Sequence, residues 1–174
     1  MWKNFVRIFD EVGVTNVVWI MDYSVNVRHN LDAAIALWPE DNVVQWLFHN
    51  LFQFTPLDFG DNKGDCPTLL KLIYDNFEAS FADVPAWKDI PWGLGAWGSN
   101  DTYWSGVIPQ ADREDCINSV REDLEGGQYS RYKAAVYFNS LESRIDKERS
   151  PEMLPTFKKY LESSAFYDPD KTRE

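Results

Sequence analysis

The sequence contains little cysteine, little histidine and no long apolar run, and each shortage excludes a class of protein. Its two cysteines, Cys66 and Cys116, match no zinc-binding spacing. Two histidines, without a Gly-x-Ser-x-Gly motif, give no support to a nucleophilic triad. No apolar stretch approaches the ~18 residues of a membrane span, and the first residues lack the apolar segment of a signal peptide. We therefore expect no membrane partner, and the cellular compartment stays open.

Basic residues are also scarce. The 174 residues include 17 Lys or Arg against 28 Asp or Glu, which gives a formal charge of -11. Nucleic acids and anionic membranes require a positive protein surface, so we expect neither as a partner. Hydrophobic residues, by contrast, make up 44% of the chain and aromatic residues 16%. This composition predicts one folded domain over residues 1–167, followed by a frayed polar tail over 168–174.

Motifs for a metal, a cofactor or a disulfide are weak. The acidic loop with Asp58, Asp61 and Asp65 lacks the alternating spacing and closing Glu of a calcium loop, and we interpret it as a solvated turn. The segment 93–98 matches Gly-x-Gly-x-x-Gly, but a polar loop follows it where a dinucleotide site needs a helix, which favours a glycine-rich strand end. We therefore expect no cofactor and no metal. The cysteines could be two buried thiols or one disulfide, and the frequency with which cysteine is simply buried favours the thiols.

Two hydrophobic periodicities alternate along the chain. Apolar runs predict strands near 16–22, 43–49, 91–97 and 133–139. Apolar residues at helical spacing precede the first strand and follow each of the four. The corresponding helices are expected over about 2–12, 31–38, 68–81, 117–124 and 150–161. Strands separated by helices imply parallel pairing through right-handed crossovers, and hence an α/β fold.

Polar and aromatic residues accumulate where the predicted strands end. Ligands of parallel α/β folds bind at these C-terminal ends. Aromatic faces beside Asp and Asn are typical of sugar sites, because sugar rings stack on aromatic rings and hydroxyls take polar partners. The strands end at Asp22 and Tyr23, at His49 and Asn50, at Ala96 and Trp97, and at Phe138 and Asn139. The candidate sugar contacts are Asp22, Tyr23, Trp97, Tyr103, Trp104 and Asn139. Core packing is the alternative role for Trp97 and Trp104, and His49 is interpreted as a structural histidine.

Five segments together resemble a known enzyme family. They are 2–9 followed by 15–20, 38–46 (WPEDNVVQW), 90–99 (IPWGLGAWGS), 133–140 (KAAVYFNS), and 144–146 followed by 150–152. In order and spacing they are similar to the C-terminal half of glycoside hydrolase family 26, the β-mannanase-like (β/α)8 barrels. The resemblance covers nearly the whole chain. It implies half of a TIM-type barrel, with four sequential parallel β-α units, helices on one face and an extra N-terminal helix.

The same resemblance implies that catalysis has been lost. The family is retaining and uses two carboxyl groups about 5 Å apart. Its acid/base group lies at the end of the fourth strand, which has no counterpart in this chain. Its nucleophile lies in an Ala-Glu-Phe-Gly motif of the seventh strand, where this sequence has Ala96. The family's tyrosine that assists the nucleophile corresponds in this sequence to Phe52, which has no hydroxyl.

Three functional hypotheses follow. The first is a catalytically silent half-barrel that acts as a structural or weakly carbohydrate-binding subunit. A second copy or another chain would cover its open sheet edges near Val17, Val18 and Val136, and the resemblance suggests an extracellular location. The second is a β-glycan hydrolase completed by a partner chain, with Asp22, Asp101 or Glu142 as a substitute acid. The third is an unrelated open α/β domain.

Overall fold

The fold is described from a computed structural model. It describes residues 2–23, 31–39, 43–53, 65–84, 87–103, 106–140, 143–163 and 165. The helices are α1 (Trp2–Glu11), α2 (Leu31–Leu37), α3 (Cys66–Ser80), α4 (Gln110–Glu125) and α5 (Leu154–Leu161). The strands are β1 (Ile20–Tyr23), β2 (Trp46–Phe52), β3 (Trp92–Gly98), β4 (Thr102–Tyr103), β5 (Gly106–Val107) and β6 (Tyr132–Tyr137). Asp58, Asp61, Trp104, Glu142 and the tail over 168–174 lie outside the described residues.

Four of the strands form one parallel sheet in the order β1-β2-β3-β6. The predicted α/β class, the parallel pairing and the sequential order are confirmed. The first two strands begin later than expected, at Ile20 and Trp46. The residues just before them are joined by a bond from the Gln45 amide to the Trp19 carbonyl, at 2.9 Å, ahead of the regular ladder.

Local sequence signals explain where the helices begin and end. Asp65 precedes α3, and its side chain accepts a hydrogen bond from the Thr68 amide at 2.8 Å. Of the three aspartates in the acidic loop, the structure describes Asp65 alone, and its role is to cap the N-terminus of α3. Helix α4 begins directly after Pro109, well before the expected apolar stripe, and Gly127 follows its end with φ of 70°. Pro155 fits α5 because it occupies the first turn, where no amide donor is needed.

A short hairpin was not expected from the sequence. Strands β4 and β5 pair antiparallel in the loop after β3, with Thr102 opposite Val107 and Tyr103 opposite Gly106. Gly106 has φ of 141°, a backbone conformation that L side chains rarely adopt. Two-residue strands carry too little hydrophobic pattern to be recognised in a sequence.

The hydrophobic core lies between the parallel sheet and its helices. Side chains at alternate strand positions contact α3 or α5: Tyr23 and His49 pack on Phe77, whereas Trp97 packs on Tyr160. Consecutive helices contact one another in the order α2, α3, α4, α5. These helices therefore form a single layer on one face of the sheet, and the opposite face stays partly exposed.

A disulfide joins two neighbouring helices. Cys66, the first residue of α3, is bonded to Cys116 of α4, with their Cα atoms 5.1 Å apart. Both residues are buried. The interpretation as two free thiols is thus wrong, because the fold brings residues 50 apart in sequence within bonding distance, and sequence spacing does not reveal such proximity.

Candidate functional site

The candidate site is the sheet face that carries no helix layer, here called the open face. Side chains alternate between the two faces of a strand, so alternate residues of β1, β2 and β6 point towards it. They include Ile20, Asp22, Trp46, Phe48, Asn50, Phe52 and Val136, and Phe138 extends the row beyond β6. Ile20, Val136 and Phe138 are exposed, and the aromatic residues of β2 are half-buried.

Glycines on β3 leave room for side chains that lie across the open face. A Cβ at Gly93 would lie 2.4 Å from Cε1 of Phe48, and one at Gly98 would lie 2.6 Å from Oγ of Ser143. A side chain at either position would displace these neighbours. The Gly-x-Gly-x-x-Gly pattern therefore shapes a surface for packing and does not open a phosphate-binding helix.

Asp22 carries the negative charge of the open face. A Cβ at Gly95 would lie 2.9 Å from both carboxylate oxygens of Asp22. Among the described residues, Asp22 has no hydrogen-bond or ion-pair partner, and burial raises the pKa of its carboxyl above the usual range.

The reach of Asp22 also reveals the curvature of the sheet. Asp22 is on β1 and Gly95 is on β3, with β2 between them. Strands two apart in a flat sheet are separated by about 9.5 Å, which is beyond the reach of an aspartate side chain with its single methylene. The sheet is therefore concave towards the open face, and residues of non-adjacent strands converge there.

Asn50 and Ala96 form the middle of this concave surface. They are register partners on β2 and β3, at a point where the pairing shifts. The Oδ1 atom of Asn50 is buried and has no hydrogen-bond partner among the described residues. Such an acceptor is suited to a ligand hydroxyl. Ala96 contributes only a methyl group, so this position on β3 supplies no nucleophile and no acid.

Two phenylalanines border the C-terminal end of the open face. The rings of Phe52 and Phe138 meet edge to face, with centroids 5.6 Å apart. Phe52 is half-buried and Phe138 is 39% exposed. These two rings therefore contribute aromatic surface at the C-terminal end of the open face, and the sequence candidates did not include either as a sugar contact.

Tyr23 and Trp97 belong to the core, and we withdraw both as candidate sugar contacts. The hydroxyl of Tyr23 donates to the Ala34 carbonyl at 2.7 Å, and its ring faces α3. Trp97 is fully buried, and its ring packs edge-on against Tyr137 and Tyr160. Each directly follows an open-face residue, Asp22 or Ala96, so strand alternation turns it towards the helices.

His49 is confirmed as a structural histidine and is fully buried. Burial lowers its pKa to about 4, so the ring is neutral at pH 7. Its Nδ1 lies 3.3 Å from the Asn50 carbonyl, which can only accept, so Nδ1 carries the proton. Its Nε2 then accepts from the Tyr132 hydroxyl, a donor whose own pKa is raised by burial. Both ring nitrogens are used internally, which leaves none for a substrate.

The remaining sequence candidates lie away from the open face or among the residues that the structure does not describe. Oδ1 of Asn139 accepts from the Ile145 amide at 2.6 Å and holds the loop after β6. Asp101, considered as a substitute acid, forms an ion pair with Arg149 at 2.9 Å. The backbone of Tyr103 lies in β4, whereas its side chain and all of Trp104 are outside the described residues.

A buried polar network beside the strand ends was missed by the sequence analysis. Oγ of Ser99 donates to Oε1 of Gln53 at 2.7 Å, which links the ends of β3 and β2. Arg113 of α4 is buried, and its guanidinium donates to Oγ of Ser150 at 3.2 Å and to the Ser99 carbonyl at 3.4 Å. These bonds fix the strand ends relative to α4. No local motif marks them, because their partners are distant in sequence.

Two other features are absent from the described residues. No three or more His, Cys, Asp or Glu residues lie together there in a way that could hold a metal ion. In the same part of the chain, no helix is both long enough and apolar enough to cross a membrane.

No protein-family model matches this chain, and no curated protein matches its sequence.

Proposed function

We propose that the chain is one half of a (β/α)8 barrel of the glycoside hydrolase family 26 type, without hydrolytic activity of its own, which binds β-glycan weakly. The sequential order of the parallel strands and the single helix layer support a barrel, because a doubly wound sheet reverses its strand order and carries helices on both faces. The concave curvature towards the open face favours the same architecture.

The observation that carries the proposal is the composition of the open face near its C-terminal end. Asp22 and the Oδ1 atom of Asn50 are polar groups without partners among the described residues, and Phe52 and Phe138 lie on the same face. Polar groups beside aromatic rings match the hydroxyls and C–H faces of a sugar. Ala96 has no ionisable group at the position where the family resemblance requires a nucleophile.

The disulfide is compatible with an extracellular role. Disulfides persist in oxidising compartments, where polysaccharides are also encountered. A half-barrel encloses only part of a ligand, so we expect dissociation constants of about 1 mM for oligosaccharides.

Binding is tested by titrating manno- and gluco-oligosaccharides with isothermal calorimetry. Asp22→Ala should abolish the heat of binding, whereas Asp115→Ala, which removes an exposed carboxylate from α4, should leave it unchanged. Equal binding by both variants would remove Asp22 from the site, whereas no binding by the native chain would leave a purely structural subunit.

A second candidate is a hydrolase completed by a partner chain. One observation favours it: the raised pKa of Asp22, together with the placement of its carboxylate over Gly95, next to Ala96. Reducing-sugar release from β-mannan or β-glucan that exceeds a heat-killed control and is abolished by Asp22→Asn would establish this alternative. We expect no release from the chain alone.

A further inference from the structure

The open face carries a negative charge that no described residue neutralises. Strands β1, β2 and β3 contain a single charged residue between them, the exposed Asp22. Strand β6 adds Lys133 near its N-terminal end. Burial is the only cause of the raised pKa of Asp22, so no described cation lies close enough to lower that pKa. The carboxylate of Asp22 is therefore available to a cation from outside the chain.

A bulge in β3 makes room for this carboxylate. The register between β2 and β3 passes from Leu94 to Ala96 and leaves Gly95 without a partner, and the register between β3 and β6 also shifts between Leu94 and Trp97. Bulges are frequent beside functional sites, because they bend a strand and re-aim side chains. A Cβ at Gly95 would lie 2.9 Å from both carboxylate oxygens of Asp22. The glycine of the bulge thus allows a carboxylate from the edge strand to lie over the middle of the sheet.

The other groups towards the C-terminal end of the open face are also mainly electron-rich. Phe48 is the register partner of Asp22, and the Oδ1 atom of Asn50 receives no hydrogen bond from the described residues. The rings of Phe52 and Phe138 meet edge to face with centroids 5.6 Å apart. A phenylalanine ring cannot donate a hydrogen bond to a hydroxyl, whereas its face attracts cations. Of these side chains, Asn50 alone also offers a donor, its amide nitrogen, which suits one ring hydroxyl.

This balance of groups favours a cationic sugar over a neutral one. The hydroxyls of a neutral sugar need donors as well as acceptors, and the face offers few donors. An ammonium group presents three donors together with a positive charge, and a carboxylate accepts from such a group strongly. The formal charge of -11 also favours cationic over neutral or anionic ligands. An amino sugar combines an ammonium group with the C–H face that aromatic rings bind.

We propose that the open face binds a glycan of protonated 2-amino sugars, such as a β-1,4-linked glucosamine oligomer, whose ammonium group donates to the carboxylate of Asp22. The inference rests on the proposed glycan binding and names the class of glycan. Phe48, which pairs with Asp22, and Phe52 are four residues apart on β2, which corresponds to about 13 Å at the rise of a strand. A ligand that reaches both Asp22 and the ring of Phe52 therefore contains more than one sugar ring.

Calorimetric titration of three matched oligosaccharides tests the assignment. Trimers of glucosamine, N-acetylglucosamine and glucose share their linkage and differ in the group at one ring carbon, and only the first is charged. At about pH 6, below the usual pKa of an amino group, we expect the glucosamine trimer to bind about fivefold more tightly than the other two. Raising the salt concentration from about 0.02 to about 0.5 M should remove most of this preference, because salt screens an exposed ion pair.

Two matched variants locate the charge that matters. Asp22→Asn keeps the shape of the side chain and removes its charge, so it should lose the preference for the glucosamine trimer and still bind the neutral trimers. Asp115→Asn removes an exposed carboxylate from α4 and should keep the preference. Urea unfolding verifies that both variants fold, and the salt series on the native chain decides the outcome without either variant.

Each result supports or overturns the assignment. Equal affinity for charged and neutral trimers, or a preference that salt does not reduce, would overturn it and leave the proposed glycan binding in place. Equal loss of preference in both variants would replace the site by a general attraction to an acidic protein. Methylamine that binds as tightly as the glucosamine trimer would reduce the site to a bare ammonium site. Binding of the glucosamine trimer alone would support the assignment and restrict the proposed function to amino sugars, whereas binding of no glycan would overturn both.

Discussion

Removal of the Cys66–Cys116 disulfide should lower the free energy of unfolding by about 4 kcal/mol. The bond closes a loop between residues 50 apart. A crosslink over a loop of that length lowers the entropy of the unfolded chain, and the chain-entropy relation converts this into about 4 kcal/mol at 25 °C. With a urea m-value of about 2 kcal/mol/M, the unfolding midpoint should fall by roughly 2 M.

The measurement compares urea unfolding of the oxidised and the reduced native chain. A double variant, Cys66→Ala with Cys116→Ala, provides the matched control, because reductant should not shift its midpoint. The variant should be somewhat less stable than the reduced chain, because both sites are buried and each substitution leaves a small void that costs about 1 kcal/mol.

Two results would refute this reasoning. A midpoint shift below about 0.5 M on reduction would mean that the unfolded chain gains little freedom when the bond is broken. Free thiols titrated in the denatured, unreduced protein would mean that the bond does not form.

Three further predictions concern single side chains. His49 has a folded pKa of about 4, below the unfolded value of 6.5, so stability should fall as pH drops from about 6.5 to 4, by about 3 kcal/mol in total, and His49→Phe should flatten this part of the profile. Gly93→Ala should destabilise the fold by about 2 kcal/mol through its clash with Phe48, and Phe48→Ala should remove most of that cost in a double-mutant cycle. Trp97→Ala should cost about 4 kcal/mol as a core truncation, whereas Phe138→Ala should cost less than about 1.5 kcal/mol.

All three are read from urea unfolding, for His49 at a series of pH values. Unchanged pH dependence in His49→Phe would show that other groups cause the acid sensitivity. Additive costs at 93 and 48 would mean that the two positions do not touch. Equal costs for the Trp97 and Phe138 variants would place both rings in the same environment, contrary to their burial.

The sequence by itself determined the α/β class and the order of the main elements. Apolar runs and helical stripes are local patterns, and each strand of the parallel sheet overlaps the run that predicted it. Gly127 and Pro155 likewise act on the backbone nearby, through allowed φ angles and a missing amide donor. The absence of a carboxylate at position 96, which is Ala96, is also a property of the sequence alone.

Alternation within strands is a property of the sequence that divides the candidate site residues between the two faces of the sheet. Asp22 and Tyr23 are adjacent, as are Ala96 and Trp97, and the sequence offers Asp22, Tyr23 and Trp97 as candidate sugar contacts. Because strand residues alternate with a period of two, only Asp22 and Ala96 can face the open side once Tyr23 and Trp97 face the helices. Once the inner face of each strand is assigned, Tyr23 and Trp97 belong to the core.

Only the tertiary structure decided the remaining features, since each joins residues far apart in the chain. The bond between Cys66 and Cys116, the pairing of His49 with Tyr132 and the approach of Asp22 to Gly95 all depend on which elements become neighbours and on how strongly the sheet curves. Local propensity contains no information about such distances, because they arise from the packing of one helix layer onto one face of a parallel sheet. The character of the open face, with a carboxyl of raised pKa on an aromatic and glycine-lined surface, is set by that packing.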